Sequence, residues 1–170
     1  MKLNPRSIAL CAVLTALALG LSTLENLFPV TLIVPLPGVK LGLANIVTVF
    51  ALYELGAGPA LTILTARCLL GGVFAGNLSA LLFSLLGGFT AMLVMIALKH
   101  CKGLSIYGVS IGGAAAHNLG QMAAAVITLG STMVLGYLPF LLAVSLVTGT
   151  LTGFVAGLLF RAMRNIHLSH

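Results

Sequence analysis

Three polar side chains, His117, Asn118 and Gln121, interrupt a stretch that is otherwise glycine, alanine and apolar residues. On a helix His117 and Gln121 are four apart and Asn118 and Gln121 three apart, so all three project from one side. Their amide and imidazole groups donate and accept hydrogen bonds, which gives them two uses in apolar surroundings. They either tie neighbouring helices together or line a cavity that binds a polar ligand. The small residues around them leave room for the second use. Lys40, Asn45 and Arg67 are further polar groups set among apolar ones. Lys40, Arg67 and a protonated His117 outweigh Glu25, a balance that suits an anionic or polar-headed ligand. Arg67 has an alternative role as a structural partner of Glu25 or Glu54. The candidate substrate-binding set is therefore Lys40, Asn45, Arg67, His117, Asn118 and Gln121.

No catalytic or metal-binding set stands beside it. The chain has no Asp, and its only carboxylate side chains, Glu25 and Glu54, are far apart in sequence. Magnesium chemistry needs clustered hard oxygen ligands, which two isolated glutamates do not supply. Cys11, Cys68 and Cys101 are odd in number and lack metal-ligand spacing, so they read as small packing residues.

The elements that position these groups follow from composition. Of 170 residues, 60% are apolar, against roughly 45–50% in an ordinary soluble domain. Only ten carry a formal charge, and mean hydropathy is +1.21. A soluble domain this small could not cover itself with so few polar groups, so the solvent is lipid and a soluble enzyme is excluded. The net charge of +6 does not signal nucleic acid, because the basic residues are scattered at the edges of apolar runs. The expected architecture is an all-α membrane domain covering 1–170, a six-transmembrane-helix bundle. Its apolar stretches run near 7–27, 39–55, 59–76, 78–98, 104–129 and 138–160, separated by proline- and glycine-rich breaks. The second and third are short enough to form a re-entrant pair instead.

Basic residues collect at cytoplasmic ends. With the N-terminus inside, Lys2, Arg6, Lys99, Lys102, Arg161 and Arg164 are all cytoplasmic and only Lys40 is outside, which predicts an N-in, C-in topology. Lys2, Arg6 and the Ala16 to Ala18 run imitate a cleavable signal peptide, but the apolar stretch continues to Leu24 and forms a whole span. Counted along their helices, Lys40, Asn45, Arg67 and His117 lie in the outer half or near the middle of the bilayer, which predicts a cavity open to the outside. Phe28 to Gly38, apolar but broken by three prolines, is either a lid over that cavity or a loop in the lipid interface.

Ala12, Ala16 and Gly20 recur every four residues and form one ridge of the first helix, over which another helix can approach closely. That helix belongs either to the same bundle or to a partner subunit. Gly112, Ala116 and Gly120 form a similar ridge on the fifth helix, where packing within the bundle is expected.

The segments PGVKLGLANIVTVFALYELG from Pro37, ARCLLGGVFAG from Ala66 and SIGGAAAHNLGQ from Ser110 resemble the Gx transporter family, long labelled heptaprenyl diphosphate synthase component I. The resemblance covers nearly the whole chain. That family is similar to the S components of energy-coupling factor (ECF) transporters. The resemblance implies an external site for a small vitamin-like, flavin-like or isoprenoid compound and a lid from the first loop. It further implies an Ala-xxx-Ala ridge, matched by Ala12 and Ala16, that docks a T component. Two ATPase subunits would drive the cycle, since the chain has no GxxxxGK[ST] of its own. The implied location is the bacterial plasma membrane, multi-pass. The older label instead implies a nonenzymatic accessory subunit of a prenyl synthase, and a link to membrane electron-transfer systems is also implied. A stand-alone carrier is the third class, with Arg67 and His117 as its only midplane ionisable groups.

Overall fold

The computed structural model describes residues 5–27 and 42–167, with side chains described over 5–25 and 42–162. Six α-helices account for nearly all of them: α1 (Pro5–Leu27), α2 (Leu43–Glu54), α3 (Ala57–Ala75), α4 (Leu78–Lys99), α5 (Ile106–Leu129) and α6 (Leu138–His167). A 3-10 helix over Thr132–Tyr137 leads into α6. The protein is an all-α membrane protein. Among the described residues four stretches, Pro5–Glu25, Ala57–Ala75, Leu78–Lys99 and Thr132–Ala162, are long and apolar enough to cross a bilayer. The 24-residue α5 has the length but carries the polar trio, and α2 has only 12 residues.

Local chemistry sets the helix ends. Asn77 opens α4 by accepting the Ser79 and Ala80 N–H groups at 2.9 and 3.3 Å, and Ser105 opens α5 by accepting that of Gly108. α3 and α5 stop at Gly76 and Gly130, both left-handed, a conformation that costs glycine little. Inside the helices many threonine hydroxyls donate to the carbonyl four residues back, as Thr15 does to Cys11 and Thr65 to Leu61, so these hydroxyls need no water that lipid cannot provide.

Around the bundle the helices follow the order α1, α3, α4, α5, α6, α2 and back to α1, with α2 also packed on α3. The start of α1 and the end of α6 mark one end, termed inner; the α3–α4 and α5–α6 connections mark the outer end. Leu52, Ile63, Leu64, Met92, Met95 and Val109, all almost fully buried, fill the inner half with a solid apolar core. There Lys99 Nζ donates to the Leu52 carbonyl at 2.7 Å and lies 4.9 Å from the Tyr53 ring centre, which ties α4 to the last turn of α2. Phe160 of α6 stacks on Phe50 at 5.4 Å and meets Tyr53 edge-on.

The α4–α5 and α5–α6 contacts are the closest. A Cβ on Gly120 would collide with the Leu86 carbonyl and Thr90 of α4, and one on Gly149 would lie 2.5 Å from the Ile111 Cα of α5. The fifth-helix ridge of Gly112, Ala116 and Gly120 is thus an internal seam, as its composition suggested. In lipid such close backbone approach is what holds helices together. Ala12, Ala16 and Gly20 behave oppositely: all three are exposed, and a Cβ on Gly20 would meet no atom within 4 Å.

A labelling experiment tests which end faces which side of the membrane. In a cysteine-free background, Ser131→Cys at the outer end should react with a membrane-impermeant maleimide added to whole cells, and Ser105→Cys at the inner end should not. Labelling of Ser105→Cys alone would reverse the orientation.

Candidate functional site

Above the apolar core, polar side chains from five helices gather at the outer end. Glu25 and Ser22 come from α1, Asn45 from α2, Arg67 from α3, and His117 and Gln121 from α5; with Ser84 of α4 and the backbone of Gly42 they line one pocket. Glu25, Arg67, His117 and Gln121 are each more than nine-tenths buried. The pocket is small: its volume of about 10 Å³ is room for roughly one water molecule.

Hydrogen bonds fix its walls. Arg67 Nη2 donates to Asn45 Oδ1 at 3.3 Å, which joins α3 to α2. Glu25 Oε1 accepts the Gly42 N–H at 2.6 Å, so the end of α1 holds the residue that precedes α2. Gly42 sits at φ 83°, a left-handed conformation from which α2 starts directly over the pocket. Opposite, Gly87 of α4 makes space for the α5 side chains. A Cβ there would stand 2.9 Å from both Gln121 Cγ and His117 Cε1. The absence of a side chain at 87 is therefore part of the site.

Of the six residues proposed from sequence, Asn45, Arg67, His117 and Gln121 share this pocket. Asn118 does not join them. It is buried, but its Nδ2 donates to the Leu141 carbonyl at 2.8 Å, an α5–α6 tie close to where α6 begins. Lys40 lies outside the described residues, as does the Phe28 to Gly38 segment. Glu54 is far from Arg67, exposed at the inner end of an apolar groove between α1, α2 and α6 lined by Leu10, Leu17, Phe50 and Leu159. Between the two glutamates, it is Glu25 that shares the pocket of Arg67.

Replacing Asn118 by Ala should accordingly lower stability by about 1–3 kcal/mol, since the Leu141 carbonyl would lose its partner away from water. Ligand binding should change little. Gln121→Ala should do the reverse, and thermal melting together with ligand retention separates the two effects. Equal binding losses in both variants would place Asn118 back in the site.

A second space, about 170 Å³ by the same measure, adjoins the pocket and shares Ser22, Arg67 and Ser84 with it. It lies between α1, α3 and α4, with Leu19, Cys68, Gly71, Phe74 and Ala75 among its walls. Cys68 Sγ reaches the Ser84 carbonyl at 3.5 Å. Sequence reasoning missed this chamber, because glycine and alanine at 71 and 75 carry no chemical signal until α1 and α4 are seen beside them. Among the described residues no three His, Cys, Asp or Glu side chains gather to hold a metal ion.

An all-α bundle of apolar helices with a small polar pocket at one end is an all-α membrane protein. The chain belongs to the heptaprenyl diphosphate synthase component I family, whose sequence model matches residues 14–159. No curated protein and no solved structure matches it.

Proposed function

We propose that this chain is the substrate-binding membrane subunit of an importer of the energy-coupling factor type, taking a small vitamin-like, flavin-like or isoprenoid compound from outside the cell. The observation that carries this reading is the convergence of Asn45, Arg67, His117 and Gln121, from three helices, on one pocket at the outer end of the bundle. Polar groups at that depth avoid lipid, and a shared ligand satisfies them together. The apolar core beneath the pocket, among the described residues, suits capture at one end rather than a continuous pore.

The chain performs no chemistry of its own in this scheme. ATP is hydrolysed by two ATPase subunits, and a T component docks on the exposed Ala12, Ala16 and Gly20 ridge. The protein resides in the bacterial plasma membrane with both termini cytoplasmic. Multi-pass insertion buries its apolar faces in lipid, and nucleic acid plays no part.

A second reading is favoured by one observation, the family's own description as component I of heptaprenyl diphosphate synthase. Under it the chain is a nonenzymatic membrane accessory subunit of that synthase, or of an electron-transfer system. Purification from native membranes at natural abundance decides between them. Recovery of a T component with two ATPases supports the importer; recovery of a soluble synthase or redox protein in their place overturns it.

A further inference from the structure

The small pocket and the larger chamber beside it share Ser22, Arg67 and Ser84, and their chemistry differs. In the pocket, Arg67 uses Nη2 on Asn45, while its Nε, in a side chain only 8% exposed, has no hydrogen-bond partner among the described residues. A buried guanidinium nitrogen without a partner is costly, and an anionic oxygen is the group that satisfies it best. The pocket itself has room for about one oxygen of such a group. The chamber beside it has mixed walls: Leu19, Gly71, Phe74, Ala75 and Ala80 form an apolar part next to Ser22, Thr23 and Ser84, and Phe74 is 75% exposed. A Cβ on Gly71 would touch only Leu19 Cδ1, at 3.6 Å, so the missing side chain leaves this space free.

We infer that the ligand is an anionic amphiphile, a carboxylate or phosphate head held by Arg67 with an apolar tail lying in the chamber between α1, α3 and α4. This rests on the proposed binding role and narrows it, because a wholly polar ligand would leave the Leu19, Phe74 and Ala80 wall uncovered and a neutral apolar one would leave Arg67 Nε without an acceptor. Gly71 is the residue that admits the tail. Cys68 forms part of the chamber floor, and its thiol reports on the occupied state.

The test uses the full chain in phosphatidylcholine nanodiscs, with Cys11→Ala and Cys101→Ser, so that Cys68 is the sole thiol. Thermal unfolding is followed by the reaction of Cys68 with a thiol-reactive dye. The probes are octyl phosphate, octanoate, octanol and inorganic phosphate. At saturation one or both of the anionic amphiphiles should raise the melting midpoint by about 5 °C, while octanol and inorganic phosphate leave it in place; which head acts distinguishes phosphate from carboxylate. Gly71→Leu, which fills the chamber and keeps Arg67, should abolish the shift. Arg67→Gln should abolish it too; if that variant does not fold, Arg67→Lys, which lacks the Nε donor, should at least halve it. An equal shift with octanol, a full shift in Gly71→Leu, or no shift with any probe overturns the inference. None of these outcomes alters which subunits copurify, so the importer reading stands or falls separately.

Discussion

Gly87→Val should empty the site of ligand while leaving the bundle folded. The added side chain points from α4 at Gln121 Cγ and His117 Cε1, both 2.9 Å from where its first atom would stand. Relief requires those two side chains to swing away, and the space open to them is the pocket they line. With about 10 Å³ available, that movement fills it. Overpacking of this kind costs a folded protein about 1–3 kcal/mol, whereas the ligand loses its entire place. The amount of small molecule retained by the purified protein, counted by mass spectrometry, should fall at least about a hundredfold, corresponding to about 2.7 kcal/mol of affinity. Gly136→Ala is the matched control, since a Cβ at 136 meets no atom within 4 Å. Retention of wild-type amounts by Gly87→Val would show that ligand does not depend on the His117 and Gln121 wall.

Ala12→Leu combined with Ala16→Leu should release the partner subunit and spare everything else. Leu14, Thr15, Ala18 and Glu25 are the buried residues of α1, and Ala12, Ala16 and Gly20 lie on the face turned away from them. Bulk added there meets no part of the bundle, so melting temperature and ligand retention should hold. Close approach of a partner helix requires small side chains, and two leucines push it outward. Copurification of the T component should drop more than about tenfold, the effect of roughly 1.4 kcal/mol. Undiminished copurification would mean that this face meets only lipid.

Several parts of this architecture were legible in the sequence. The apolar stretches locate the helices because a run of lipid-compatible residues has few alternatives to a helix, and Gly76, Asn77, Gly130 and Ser131 mark breaks where the structure has caps. Arg67 and Asn45 meet, and the pattern said only that both are polar at similar depth. Asn118 shows the limit. Spacing puts it on the same side as Gln121, yet it is turned about 60° further round the helix, enough to face α6 instead of the pocket. Which of two adjacent polar residues reaches a site depends on the neighbour's position, and that is a tertiary property. Gly87 and Gly71 were illegible for a related reason: each contributes an absence, which acquires meaning only from the side chain or cavity opposite. For the α1 ridge the sequence left internal and external packing open, and exposure of all three residues turns it outward.

The shortness of α2 sets where its polar end stands. Twelve residues rise about 18 Å, and eight of them, Ala44 and Ile46 to Leu52, are buried against neighbouring helices. Lys99 and Phe160 hold the inner end of the helix, so its length places Asn45 level with Arg67. Helix α2 thus acts as a spacer: one extra turn would lift Asn45 about 5.4 Å along the axis and carry its Oδ1 out of reach of the Arg67 guanidinium.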